Sequence, residues 1–136
     1  MREVLFRGKR TYNGKWVEGS LVVTSQCNAY IISTVEDKRD ATVLVNQCSL
    51  NVDPETVGQY TGLTDKNGMK IFEGDILTIE NEGVYAAIKY NESNAAFYVE
   101  DEDHEDYLGE AWETDVVIIG NIHDNPEILK GSGDNG

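Results

Sequence analysis

Two carboxylates one residue apart, Glu73 and Asp75 around Gly74, stand immediately before an apolar run that begins at Ile76. Such a pair could share acid–base work or hold Mg²⁺, but either role needs a polar cleft and tuned pKa values. Local turn chemistry explains the trio with fewer demands. Glycine takes the unusual φ, and the aspartate accepts from nearby backbone amides. A second acidic stretch, Glu100-Asp101-Glu102-Asp103-His104-Glu105-Asp106, invites a calcium reading. Counted from Asp101, the sixth position of a calcium loop holds Asp106 instead of Gly, and the twelfth holds Trp112 instead of Glu. The template fails. Two readings remain for this stretch: a solvated, self-repelling loop, or a docking surface for a basic partner. In the second, Glu100, Asp101, Glu102 and Asp103 supply charge, with Tyr107 and Trp112 as apolar anchors.

The remaining chemistry is sparse. His104 and His123 are the only histidines and Cys27 and Cys48 the only cysteines. Their spacing follows no zinc-finger logic, and no metal or cofactor site is expected. The neighbours of His104 merely favour its charged form, and His123-Asp124-Asn125-Pro126 reads as a turn. The cysteines read as two reduced, partly buried thiols. Gly58 and Gly62 bracket Gln59-Tyr60-Thr61, but no helix opening and no Lys-Ser/Thr pair accompany them, so they do not make a phosphate loop. Bulges or close backbone crossings are the expected use of these glycines. No catalytic constellation can be named, and a non-catalytic protein is expected.

Charge narrows the partners. The formal net charge is −14. The first twenty residues carry Arg2, Arg7, Lys9, Arg10 and Lys15 against Glu3 and Glu18, five minus two giving +3, whereas from Ile71 to Leu129 the only Lys or Arg is Lys89. A surface of this sign repels phosphate backbones, so direct nucleic-acid binding is disfavoured except through the basic N-terminus. A protein partner fits better. The aromatics, among them Phe6, Tyr12, Trp16, Tyr60 and Phe72, could stack bases only beside a basic groove, so packing is the expected role of most. No apolar run approaches the ~20 residues that cross a bilayer, and Met1–Arg7 lacks a signal-peptide stretch, so a cytoplasmic protein is expected.

The elements that must position these residues are strands. Asn13-Gly14 predicts a type I′ hairpin turn between Val4–Thr11, where Val4 and Phe6 alternate with charged neighbours, and Lys15–Thr24. Further strands are expected over Ala29–Thr34, Thr42–Val45, Val57–Thr61, Lys70–Phe72, Ile76–Ile79, Val84–Tyr90 and Ala96–Val99. Val116–Ile119 is a continuous β-branched run and reads as a buried strand. Glu36–Asp40 is a loop, and Asn51-Val52-Asp53-Pro54-Glu55 a turn at the boundary between lobes. Short strands with glycine turns indicate an all-β fold with small-barrel character, not βαβ units. The tail 131–136 is expected to be disordered.

The segment from Val57 to Ile76, with Gly58-Gln59-Tyr60-Thr61-Gly62, Asp65-Lys66-Asn67-Gly68 and Glu73-Gly74-Asp75, closely resembles the signature of the YopX family of bacteriophage and prophage proteins. Phe6-Arg7-Gly8-Lys9-Arg10 with Asn13–Gly19, and Ile119–Glu127 with His123, Asn125 and Pro126, look like that family's terminal patterns. The resemblance implies an SH3-like barrel over 53–130, with an acidic loop at 100–115, preceded by a β-rich lobe at 1–52. It also implies a phage or prophage origin, in a bacterial host. It carries over no activity, cofactor or catalytic residue, and the motif residues are expected to be structural. The expectation is an accessory protein acting through protein–protein contact with an unidentified partner, and a homo-oligomer, since exposed strand edges ease self-association. The alternative is a nucleic-acid-directed protein, either a weak binder through its basic N-terminus or an acidic mimic of DNA.

Overall fold

A computed structural model of the protein describes residues 4–32, 49–79, 84–93, 95–100, 105–107 and 116–129. The expected strand over Thr42–Val45, the loop Glu36–Asp40 and the tail 131–136 lie outside the described residues. The chain is all-β in class, built on two antiparallel sheets, and divides into two units, Met1–Tyr60 and Thr61–Gly136. Among the described residues no helix is long and apolar enough to cross a membrane.

The first unit is a meander of β1 (Phe6–Lys9), β2 (Trp16–Val23), β3 (Ala29–Ile32) and β4 (Ser49–Val52), each antiparallel to the next. The first residues of β5 (Gly58–Thr64) join it, Gly58 opposite Arg7 and Gln59 opposite Phe6. Period-two alternation sends Phe6, Val17, Leu21, Ala29, Ile31 and Val52 into one apolar cluster. The meander then closes on itself. Arg10 bridges Val52, Thr11 N–H donates to Asn51 O at 3.1 Å, and Asp53 N–H donates to Lys9 O at 2.8 Å. Such closure removes an open edge at that end. Gly8 permits it, because a Cβ there would lie 3.0 Å from Val52 Cβ and Cγ2.

The expected turn at 51–55 is therefore corrected. Asn51 and Val52 are paired strand, and only Asp53 onward turns the chain. There Asp53 Oδ1 accepts from Glu55 N–H at 3.0 Å and caps a 3-10 turn over Pro54–Thr56. Proline sits at the start of that turn, where its missing N–H costs nothing.

In the second unit the later residues of β5 lie beside β6 (Lys70–Phe72), with Thr61 Oγ1 donating to Ile71 O at 2.8 Å. A sheet of order β10-β9-β8-β7-β11 follows, from β7 (Asp75–Ile79), β8 (Val84–Asn91), β9 (Ala96–Glu100), β10 (Glu105–Tyr107) and β11 (Val116–Asn121). Its core is Ile71, Leu77, Ala86, Ile88, Val99 and Val116, with Phe97 and Ile118 packed against it. Tyr90 and Phe97 face each other across β8 and β9, edge to face at 5.1 Å. Val116–Ile119 departs from the expected buried strand. It is the sheet's terminal strand, with Val116 2 % and Ile119 37 % exposed, so its apolar run serves one face and an edge.

Candidate functional site

Among the described residues, the basic side chains of the first unit gather on the β1–β2 hairpin, and the local chemistry of the turn puts them there. Arg10 N–H donates to Lys15 O and Gly14 N–H to Arg10 O, both at 2.9 Å, while Asn13 Oδ1 accepts from Lys15 N–H at 3.0 Å. Gly14 takes φ +70°, but Asn13 does not take a positive φ. The expected type I′ turn, which needs positive φ at both positions, is thus a four-residue connection Thr11–Gly14 with one left-handed residue. The hairpin itself stands.

Because Gly8 faces Val52, its neighbours Arg7 and Lys9 project to the opposite, outer face. The register places Lys9 across from Trp16 and Arg7 across from Glu18, so all four share that face. The guanidinium of Arg7 lies 4.8 Å from the centre of the Trp16 ring, and Lys9 Nζ lies 5.8 Å from it. At the hairpin's end the Arg10 guanidinium is 5.8 Å from the ring of Tyr12, which is 86 % exposed. Cations over aromatic faces are held by the ring quadrupole without losing their charge. With Lys15, which pairs with Arg10 where the turn closes, the hairpin carries four cations and the single carboxylate Glu18, for a local +3 on a chain of net −14. Among the described aromatics most are buried or half-buried, as expected; Trp16 is half-buried beside the two cations, and Tyr12 is exposed.

The signature residues do something different. Asp65, 6 % exposed, accepts three backbone amides: Oδ1 from Asn67 at 2.8 Å and Met69 at 2.9 Å, Oδ2 from Ile118 at 3.1 Å. Burial is the largest single influence on its carboxyl and raises the pKa. The amides of Met69, Ile118 and Asn67 together outweigh it and hold the group below the ordinary aspartate value. Lys66 N–H donates to Val116 O at 2.9 Å, so the turn Asp65–Gly68 seals part of the edge of β11 that would otherwise invite pairing. Gly68 takes φ +83° within that turn.

Asp75, 2 % exposed, accepts from Phe72 N–H at 2.7 Å through Oδ2. Between them Gly74, at φ +95°, donates to Ile88 O and accepts from Ile122 N–H, both at 2.9 Å. Glu73 is half-buried beside it. In the Gly58–Gly62 segment, Tyr60 is buried and its N–H donates to Leu5 O at 2.8 Å, while Gly62 takes φ +93° in the open. At the C-terminal motif Asn121 Oδ1 accepts from His123 N–H and Asp124 N–H at 3.0 and 2.9 Å, and Asn125 Oδ1 accepts from Asn121 N–H at 3.3 Å. Pro126 follows in the exposed turn.

The buried carboxylates are not brought into a metal-binding group: among the described residues no three of His, Cys, Asp and Glu converge. Cys27 is exposed at φ +66° in a turn where its N–H donates to Thr24 O, which corrects the expected partial burial. Cys48 and His104 lie outside the described residues. Of the acidic candidates, Glu100 is half-buried at the end of β9, and Tyr107 lies on β10, whose register sets Glu105 across from Glu100. Asp101, Glu102, Asp103 and Trp112 lie outside the described residues.

A crystal structure of protein EF1440 from Enterococcus faecalis is similar to this chain at 26 % identity and TM-score 0.61, covering 95 % of this chain and 99 % of that one. No curated protein matches. The family model of the YopX protein matches residues 5–130, and with the signature residues placed as described the chain belongs to the YopX family.

Proposed function

We propose that this chain is a non-catalytic accessory protein that works by contact with another protein, its contact surface being the outer face of the β1–β2 hairpin. One observation carries the reading: the buried carboxylates of the signature, Asp65 and Asp75, accept backbone amides, whereas the half-buried Trp16 ring holds the cations of Arg7 and Lys9 on the outer face of the hairpin. Aromatic and arginine side chains are the groups that anchor protein interfaces. Family membership supports a phage or prophage accessory role, exercised in the bacterial cytoplasm.

The test is capture from a bacterial lysate with the purified chain as bait, compared with Arg7→Glu/Lys9→Glu. The expected result is a stoichiometric protein partner, a second copy included, that is lost with the variant while its circular dichroism stays unchanged. Capture that is identical for both baits overturns the choice of surface. A second reading, weak binding of single-stranded nucleic acid, is favoured by the same strip, because cations and an aromatic ring together suit a base and its phosphate. It predicts binding of a labelled oligonucleotide that falls steeply with salt and with the variant. An oligonucleotide that does not bind at low salt excludes it.

A further inference from the structure

We infer that the turn over residues 65–69 is a movable cover on the edge of β11 turned away from β7, and that β11 of a second copy pairs there once the cover lifts. The inference stands on different residues from the contact reading above and does not depend on it.

Every group involved lies within the second unit. β11 is the terminal strand of its sheet, beside β7. At its other edge Val116 O accepts from Lys66 N–H at 2.9 Å, and Ile118 N–H donates to Asp65 Oδ2 at 3.1 Å. Residues two apart on a strand point their backbone groups to the same edge, so these two groups face outward together while those of Val117 face β7. Both partners belong to the turn, one a backbone amide and the other a side chain. The hold is narrow. Residues 62–64 and 66–70 are all exposed, and Asp65 is the buried residue between them. A segment with so little apolar burial opens locally at far less cost than the sheet beneath it.

The edge under the cover is self-complementary. In an antiparallel pair centred on Val117, Val116 of one copy stands opposite Ile118 of the other, and the reverse. Each Ile118 N–H then donates to the Val116 O of the other copy, so the turn and a second copy compete for the same two groups. Residues 116–119 are all Val or Ile, without charge or proline, a composition that favours pairing at an open edge. Asp65 thereby gates self-association, since a second copy meets only the fraction of molecules with the turn lifted.

Two measurements test the gate. In hydrogen exchange of the wild-type chain, the Lys66 and Ile118 amides are expected to show the same protection, at least about tenfold below that of Val117. Protection of Lys66 and Ile118 equal to that of Val117 overturns the movable cover. The second measurement is sedimentation velocity over a concentration series. Asp65→Asn keeps an acceptor for the turn's own amides but loses the hold on Ile118, and is expected to dimerise at least about tenfold more tightly than wild type. Adding Val117→Lys or Val117→Glu sets like charges opposite each other across the pair and is expected to abolish that gain. An equimolar mixture of the two double variants is expected to restore it, which an unfolded chain could not do. Asp65→Asn that associates no better than wild type overturns the inference. So does a gain that survives both Val117 substitutions, or a mixture no better than its components.

Discussion

Replacing Gly8 with alanine tests how β1 is seated, and with it how Arg7 and Lys9 come to face outward. Gly8 has no left-handed φ, so an alanine meets no backbone strain there. Its Cβ would lie 3.0 Å from Val52 Cβ, 3.0 Å from Cγ2 and 3.3 Å from Cγ1, and Val52 is 0 % exposed. Overpacking of this kind costs about 1–3 kcal/mol. Relief of glycine's excess freedom in the unfolded chain returns about 0.5–1 kcal/mol. The net expectation is a loss of about 1 kcal/mol. Val52→Ala alone removes two methyl groups from the cluster and should cost about 2–3 kcal/mol. In the double variant, Gly8→Ala with Val52→Ala, the Cγ atoms that crowd the added methyl group are gone and only the Cβ contact remains. The pair should therefore be about 1 kcal/mol more stable than the sum of the single losses. Urea unfolding followed by circular dichroism gives all four corners of the cycle. Losses that add to within about 0.3 kcal/mol would show that Gly8 and Val52 are not in the contact described, and the derivation of the outer face would fall with it.

Two further substitutions test the signature as framework. Asp65→Asn keeps an oxygen for Asn67 and Met69 but turns an NH2 toward Ile118 N–H, and should cost about 2–4 kcal/mol in urea unfolding, since a buried amide loses its partner and a charged acceptor is gone. A loss under about 0.5 kcal/mol would refute the three-amide arrangement. Asn125→Ala removes the acceptor of Asn121 N–H and the side chain packed over Gly120, and should cost about 1 kcal/mol, with faster hydrogen exchange at the Asn121 amide as its local signature.

Much of the fold was legible because it is written in short-range chemistry. Asn13-Gly14 marks a hairpin, and the alternation of Val4 and Phe6 with charged neighbours marks its first strand. What failed was long-range. Asn51-Val52-Asp53-Pro54 has turn composition, yet its first two residues pair with β3 and with the end of β1, partners some twenty and forty residues away. Val116–Ile119 reads as buried because β-branched residues suit interiors. Its edge position is tolerated through the Asp65 carboxylate, 53 residues earlier in the chain. The turn type failed on a subtler point: Asn-Gly permits two positive φ angles but does not require them. The cationic strip was half visible. Its charges stand in the sequence, but the alignment of Trp16 with Arg7 and Lys9 depends on the register across the hairpin.

The central claim, that the signature carboxylates hold backbone and do no chemistry, is tested most directly by a carbon-detected NMR titration of the Asp65 carboxyl in the intact chain. The folded pKa lies below the ordinary aspartate value of 3.8. Asp65 therefore stabilises the fold fully above that value, and the contribution is lost as pH falls through the lower, folded pKa. The expected result is a carboxyl that titrates below 3.8, with the amide signals of Asn67, Met69 and Ile118 moving in the same step. A carboxyl that titrates well above 3.8 without disturbing those amides would contradict the account, because it would be a proton-exchanging group free to act on a substrate.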